Sequence, residues 1–132
     1  MDSSSIQLAG SEIAGVSYAD GTLRVHFSRA SIIRTMTGST ERTRWWQAGD
    51  LVMEDAELEA PLPVAGPLVC AGGDIEENVY VYRDMIPIPL SSRGHCRCDL
   101  HLRDDAGRIC ASAATVRLEL QATPKYIEHL RD

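Results

Sequence analysis

The sequence predicts an all-β, mainly antiparallel fold, which is either a small β-sandwich or a closed β-barrel with one short C-terminal helix. The first observation behind this prediction is that apolar and polar residues alternate in several short runs, as in strands with one buried face. The second is that Asp, Gly and Pro separate these runs at short intervals. The third is a length of 132 residues with 44% hydrophobic residues, which suits a single domain, residues 1–132, with its own core.

A β-hairpin is predicted near the N-terminus, after a flexible terminus at residues 1–10. Residues 12–18 and 22–27 are rich in β-forming residues, and Asp20-Gly21 between them suits a tight turn with positive φ angles. Apolar and polar residues alternate in the second strand, so its core face is expected to consist of Leu23, Val25 and Phe27. No sustained period follows in residues 28–43, which predicts a loop there.

The middle of the chain is predicted to contain short strands separated by prolines. One strand runs from Trp45 to Met53, and residues 54–60 are assigned to a strand or strand pair because prolines end this acidic segment. Residues 79–82, Val-Tyr-Val-Tyr, have the strongest strand composition in the chain. Residues 85–90 are apolar but contain two prolines that cannot donate to a ladder, so they are placed at a sheet edge or at a crossing between sheets.

A second hairpin is predicted in the C-terminal half. Residues 95–103 and 108–120 flank the turn sequence Asp-Asp-Ala-Gly, and apolar residues alternate in both strands. In the second of these strands the apolar positions change from odd to even numbers near Ala113, which indicates a bulge or a bend.

A short helix is predicted to close the chain over residues 124–131. Thr123 is a suitable N-cap, and Pro124 suits the first helical position. Tyr126, Ile127 and Leu130 have the spacing of one helical face. Such a helix would lie against the sheet or across an open end of a barrel.

The net charge of the chain restricts its partners. With 19 acidic and 13 basic side chains the formal charge is −6, which disfavours binding to a phosphate backbone. No apolar run approaches the roughly 18 residues that cross a bilayer, and the N-terminus lacks the pattern of a secretory signal. We therefore predict a cytoplasmic protein with neither nucleic acid nor a membrane among its partners.

The charge is unevenly distributed along the chain. Residues 28–49 carry a net charge of +3, whereas residues 50–77 contain eight acidic side chains and no Lys or Arg. The cationic segment contains adjacent tryptophans. The acidic residues that are interpreted as a solvated face are Asp50, Glu54, Asp55, Glu57 and Glu59. Opposite charges on one chain favour the association of two copies, so a homo-oligomer is expected.

The cysteines are interpreted as small buried residues of the core, and no metal or other cofactor is predicted. Residues 95–101 hold two cysteines and two histidines, but in a strand the cysteines face one side and the histidines the other. The two histidines would be about 20 Å apart at roughly 3.3 Å per residue, too far for tetrahedral zinc coordination from that strand. The cysteines concerned are Cys70, Cys96, Cys98 and Cys110.

No catalytic residue is predicted. The chain has no Gly-x-Ser-x-Gly elbow and no phosphate-binding glycine loop, and none of its four histidines has the local context of a base. A small enzyme with a His and carboxylate site is the least favoured hypothesis, because the sequence alone brings no such pair together.

Two segments are candidate binding sites. Arg and Trp are enriched at protein interfaces, and adjacent tryptophans on a strand face opposite sides, so one can join the core while its neighbour is partly exposed. The alternative is that both are buried, one in the core and one under the loop or the C-terminal helix. The candidate partner-binding residues are Arg42, Arg44, Trp45 and Trp46. Two tyrosines on one strand face could line a ligand groove. The residues of this second candidate are Tyr80, Tyr82, Arg83 and Asp84.

The function predicted first is a non-enzymatic binding or assembly module that self-associates or binds a protein partner through a tryptophan and an exposed strand edge. The alternative is a barrel that binds a small molecule in an apolar lumen closed by the C-terminal helix. These hypotheses differ in one structural requirement, because only the second needs an empty interior.

Overall fold

The chain folds into one antiparallel sheet, described by a computed structural model for residues 3–36, 38, 41–63 and 67–130. All the regular elements in these ranges are strands, which confirms the all-β prediction. They are β1 (Ser3–Ala19), β2 (Thr22–Thr35), β3 (Arg42–Met53), β4 (Glu57–Leu58), β5 (Leu68–Glu77), β6 (Tyr80–Arg83), β7 (Met85–Ile88), β8 (Ser91–Leu102) and β9 (Arg108–Leu130).

Six strands form a closed ring, which gives the sheet a barrel-like shape. The order of pairing is β1, β2, β3, β9, β8 and β5. β5 returns to β1 through the pairs Glu12–Val69 and Ile13–Leu68, which close the ring. β6 and β7 lie at the two ends of the hydrogen-bonded path, and β4 pairs with β9.

Apolar side chains from all the ring strands form one core. The predicted core face of β2, made of Leu23, Val25 and Phe27, is fully buried. Residues from β3, β5, β8 and β9 complete the core, and they include Leu51, Met53, Ile75, Leu100 and Ile109, each with no exposed surface. Large side chains therefore occupy the space inside the ring.

The two predicted hairpins are confirmed, because β1 pairs with β2 across Asp20-Gly21 and β8 pairs with β9. The predicted bulge in β9 is also present. The backbone N–H groups of Ala114 and Thr115 both donate to the carbonyl of Glu54, at 3.1 Å and 3.4 Å. Two successive donors on one acceptor leave one residue unpaired, which shifts the apolar positions from odd to even numbers.

The loop predicted for residues 28–43 is wrong for most of its length, because β2 continues to Thr35. A bulge between Phe27 and Ala30 shifts the pairing with β3. The buried positions of β2 therefore change from odd numbers to Ala30 and Ile32. This change of parity interrupts the period of two on which the prediction depended. Thr37, Ser39 and Thr40 lie outside the described residues.

The predicted C-terminal helix is also wrong, because residues 124–130 continue β9. They pair with β3, from Trp46–Lys125 to Arg42–Leu130. A helix of eight residues is marginally stable in isolation, whereas β3 supplies backbone partners along this whole segment. Pro124 is compatible with the strand because the other edge of β9 has no described partner there. Residue 131 lies outside the described residues.

Three smaller predictions concern the ends and edges of the sheet. Residues 3–10, predicted to be flexible, belong to β1 and pair with β2 and β7, while Met1 and Asp2 lie outside the described residues. The segment 54–60 contains one two-residue strand, β4. β7 lies at an edge as its prolines predicted.

Across the described ranges, no helix is long and apolar enough to cross a membrane.

Candidate functional site on the outer sheet face

The two adjacent tryptophans face opposite sides of β3, as predicted. Trp45 packs against the core, with its ring edge-on to Tyr126 at a centroid distance of 5.4 Å. The guanidinium of Arg34 lies 4.7 Å from the centroid of the Trp45 ring, and the indole N–H donates to Thr43 Oγ1 at 2.8 Å. Trp45 is therefore held by an aromatic ring, a guanidinium and a hydrogen bond, which indicates a structural role.

Trp46 lines a surface groove of about 380 Å³ on the outer face of β2, β3 and β9. The groove lies between two places where the register of pairing with β3 shifts. One is at residues 28–29 of β2, and the other is at residues 122–124 of β9. Ala48 follows Trp46 on the same face of β3 and leaves space above the sheet. The lining residues are Ser28, Arg29, Trp46, Gln47, Ala48, Ala122, Thr123, Lys125 and Ile127.

The groove combines an indole ring with two cations. Lys125 pairs with Trp46 in the register of β9 and β3, and none of the described acidic side chains forms an ion pair with it. Arg29 Nη1 lies 3.7 Å from Glu12 Oε2, and the two side chains are 62% and 42% exposed. Ile127, with 41% of its surface exposed, adds an apolar wall. Such a surface suits a partner that brings both an apolar or aromatic side chain and a negative charge.

The other predicted partner-binding residues do not line this groove. Arg44 donates to Glu128 at 3.1 Å and to Ser31 Oγ, so its guanidinium is used within the sheet. Arg42 occupies the far end of β3, opposite Leu130. Lys125 and Ile127 were missed, because their segment was assigned to a helix. The only feature of the sequence that could have drawn attention to this part of the groove is that Lys125 is the single lysine of the chain.

A charged network lies next to the groove on the same outer face. Asp50 has a side chain that is only 7% exposed, and it accepts hydrogen bonds from Arg24 Nη1 and from His26 Nδ1, each at 2.5 Å. Gln121 Nε2 adds a third donor at 3.4 Å. Burial alone would raise the pKa of Asp50, but the hydrogen bonds from His26 and Arg24 outweigh it and lower this pKa below its usual value.

This network joins a histidine and a carboxylate that the sequence could not place together. The register of β2 and β3 sets His26 directly opposite Asp50. His26 lies outside the lining of the two described pockets, the Trp46 groove and a 250 Å³ hollow around Ser91 and Thr115. The pair therefore has the geometry of a structural cross-strand contact.

Arginines neutralise much of the acidic segment 50–77, so its charge does not form one solvated face. Arg117 binds Glu54 and Glu119, and Arg97 binds Glu59 at 2.9 Å and Glu76 at 3.3 Å. These arginines belong to β8 and β9, which come later in the chain. The interpretation of Asp50, Glu54, Asp55, Glu57 and Glu59 as one solvated face is therefore wrong for Asp50, which is buried, and incomplete for Glu54 and Glu59, which form ion pairs.

The second predicted site forms no pocket among those described. The rings of Tyr80 and Tyr82 stack with their centroids 6.4 Å apart, and the hydroxyl of Tyr82 donates to Glu77 at 2.7 Å. Asp84 accepts a hydrogen bond from the backbone N–H of Gly73 at 3.1 Å. Arg83 pairs with Asp74 in the register of β6 and β5. These residues therefore hold the β5–β6 hairpin in place.

All four cysteines are free and buried, three of them in the central core. Burial raises the pKa of each thiol, to about 11 for Cys70 and to about 12 for Cys98. Within the described part of the chain, no group of three or more His, Cys, Asp or Glu side chains is placed to hold a metal ion.

Thiol chemistry gives a direct test of this burial. We expect the native protein at pH 7.5 to react with dithionitrobenzoate at least about a hundredfold more slowly than free cysteine, because the thiols are both inaccessible and protonated. Four thiols should react at once in denaturant. A Met36→Cys variant is the positive control, since Met36 is 54% exposed. Rapid reaction of one thiol in the native wild type would contradict the buried positions.

Comparison of the chain with protein-family models, with curated proteins and with solved structures gives no significant match. Its function is therefore inferred from the geometry of these side chains.

Proposed function

We propose that the protein is a non-enzymatic assembly module, and that copies of the chain associate through the outer face of β2, β3 and β9. The observation that carries this proposal is the outward-facing Trp46 in a groove whose Lys125 has no ion-pair partner among the described acidic side chains. An indole with a neighbouring cation supplies both contact area and charge, which is the composition of an interface hot spot.

The backbone of β9 next to the groove favours recognition by side chains over the addition of a strand. Residues 119–130 pair with β3 on one side, and none of the described strands pairs with their other side. Pro124 and Lys125 lie on this free edge, and Ala122 has a positive φ of 62° where the register shifts. Proline, lysine and a bulge are three features that disrupt pairing with another chain's edge. A partner would therefore contact the groove rather than extend the sheet.

This function is better supported than the two alternatives. A lumen for a small molecule requires empty space inside the ring, where Phe27, Leu51 and Ile109 are fully buried in the core. A His and carboxylate enzyme requires a substrate pocket beside His26, which lies outside the lining of the Trp46 groove. Four free thiols suit a reducing compartment, so we extend the proposal to a cytoplasmic protein.

The test is sedimentation velocity across a range of protein concentrations. We expect concentration-dependent association of the wild type, and weakening by about tenfold or more in Trp46→Ala, because hot-spot residues typically contribute about 2 kcal/mol or more. Association should also weaken as salt is raised, since charge contributes to it.

Tyr126→Ala is the matched control. Tyr126 follows Lys125 on β9, but its ring lies on the other face against Trp45, so its removal should change the association constant less than threefold. A wild type that is monomeric at every concentration, or a Trp46→Ala variant that associates like the wild type, would refute the proposal.

A further inference from the structure

The tip of the β5–β6 hairpin exposes three consecutive apolar or aromatic side chains. Val79 is 87% exposed, Tyr80 61% and Val81 50%. The turn consists of Asn78 and Val79, and β6 lies at the end of the hydrogen-bonded path of the sheet. A cluster of this kind is costly to expose to water, which marks it as a contact surface.

Asn78 fixes this tip to β8. Its backbone N–H donates to the carbonyl of His95 at 2.7 Å, and its side-chain oxygen accepts the backbone N–H of His95 at 3.1 Å. Its side-chain N–H donates to the carbonyl of Arg93, also at 3.1 Å. A clamped tip has little conformational entropy to lose on binding, so it is preorganised to enter a cavity.

The tip and the Trp46 groove are complementary in shape and in charge. The tip is convex, and the carboxylate of Glu77 lies at its base on β5, where it accepts a hydrogen bond from the hydroxyl of Tyr82. The groove is concave and has Trp46 and Ile127 as apolar walls, with Lys125 at its rim. The apolar tip with its acidic base is therefore complementary to the apolar groove with its basic rim.

The two surfaces cannot meet within one copy. In either direction around the ring, at least two strands separate β6 from the nearest strand that lines the groove, β2 or β9. Neighbouring strands are about 4.8 Å apart, so the tip lies well beyond the reach of its own groove. A second copy of the chain can bring the two surfaces together.

We infer that the chain assembles head to tail, with the Val79–Val81 tip of one copy inserted in the Trp46 groove of the next. This inference rests on the proposed function and adds the second surface of the contact. β5, which carries the tip, lies opposite β3 in the six-strand ring, so two copies cannot insert their tips in each other's grooves at the same time. The contact is therefore heterologous, and repeated contacts give a closed ring or an open filament instead of a two-fold dimer.

Mixing two variants with opposite defects tests the inference. Trp46→Ala removes the groove but keeps the tip, and the double variant Val79→Ser with Tyr80→Ser removes the tip but keeps the groove. We expect each variant alone to sediment as a monomer under conditions where the wild type forms larger species. An equal mixture should form a 1:1 dimer and nothing larger, because only one intact contact is available.

Met36→Ser is the matched control for the loss of an exposed apolar side chain, since Met36 is 54% exposed in the β2–β3 connection. It should assemble like the wild type, and circular dichroism should show that each variant is folded. A monomeric wild type would refute the proposed function itself. Two results would overturn the head-to-tail contact alone, provided that the wild type assembles. One is that the tip variant also assembles, and the other is that the mixed variants fail to form the dimer.

Discussion

Gly73→Ala is expected to lower the free energy of unfolding by about 3–5 kcal/mol, from overpacking and backbone strain together. Gly73 lies on β5 opposite Leu100 of β8 and has a φ of +148°, a conformation that L residues rarely adopt. A Cβ at this position would lie 2.8 Å from Leu100 Cα and would clash with the carbonyl oxygen of Asp99. Both neighbours are backbone atoms of a paired strand, so they cannot move aside at low cost.

Urea-induced unfolding followed by tryptophan fluorescence would measure this loss. Gly15→Ala is the matched control, because Gly15 is also in a strand but a Cβ there would meet no atom within 4 Å. Its effect should stay within about 1 kcal/mol, in either direction. Equal stabilities of the two variants would show that β5 does not approach β8 as closely as described.

Asp50→Asn is expected to lower the free energy of unfolding by about 2–3 kcal/mol at neutral pH, because hydrogen bonds to charged groups contribute about this much. The buried carboxylate of Asp50 is the common acceptor for Arg24, His26 and Gln121. A neutral amide removes the negative charge and offers an N–H group to donors that need an acceptor. The partners are partly exposed, so the loss is smaller than for a fully buried ion pair.

The pH dependence of this loss follows from the direction of the pKa shift. The pKa of Asp50 is lower in the folded protein than its ordinary value of 3.8. The carboxylate therefore stabilises the fold fully above that ordinary value, and the stabilisation disappears as pH falls through the lowered pKa. The stability difference between wild type and Asp50→Asn should therefore shrink as the pH falls into strong acid.

Asp55→Asn is the matched control for Asp50→Asn. Asp55 is an exposed residue in the turn after β3, with a φ of 52° that asparagine also tolerates. Its stability should match that of the wild type within about 0.5 kcal/mol at every pH. If Asp50→Asn behaved in the same way, the buried carboxylate would not hold β2, β3 and β9 together.

The hairpins were predictable because their signals are local. Asp20-Gly21 supplies two residues with positive φ between alternating strands, and the parity change near Ala113 marks the bulge in β9. Both depend on residues within about ten positions of each other. The face of Trp46 was also predictable, because neighbouring side chains on a strand point to opposite sides.

The C-terminal segment was not predictable in this way. Thr123-Pro124 satisfies the rules for a helix start, and the same Pro124 is compatible with a free strand edge. The choice depends on β3, which lies about 80 residues earlier in the chain and supplies the backbone partners of residues 124–130. This error also concealed the groove, since Lys125 and Ile127 reach Trp46 only when this segment is a strand.

The sequence by itself determined the all-β class, the core face of β2 at Leu23, Val25 and Phe27, the hairpin turns and the opposite orientation of the two tryptophans. These properties follow from alternation and turn chemistry, which act between neighbours in the chain. The tertiary structure decided the closure of the ring, the pairing of His26 with Asp50 and the position of Lys125 beside Trp46. Each of these depends on the register between distant strands, and bulges set that register by inserting single residues that leave weak traces in the local pattern.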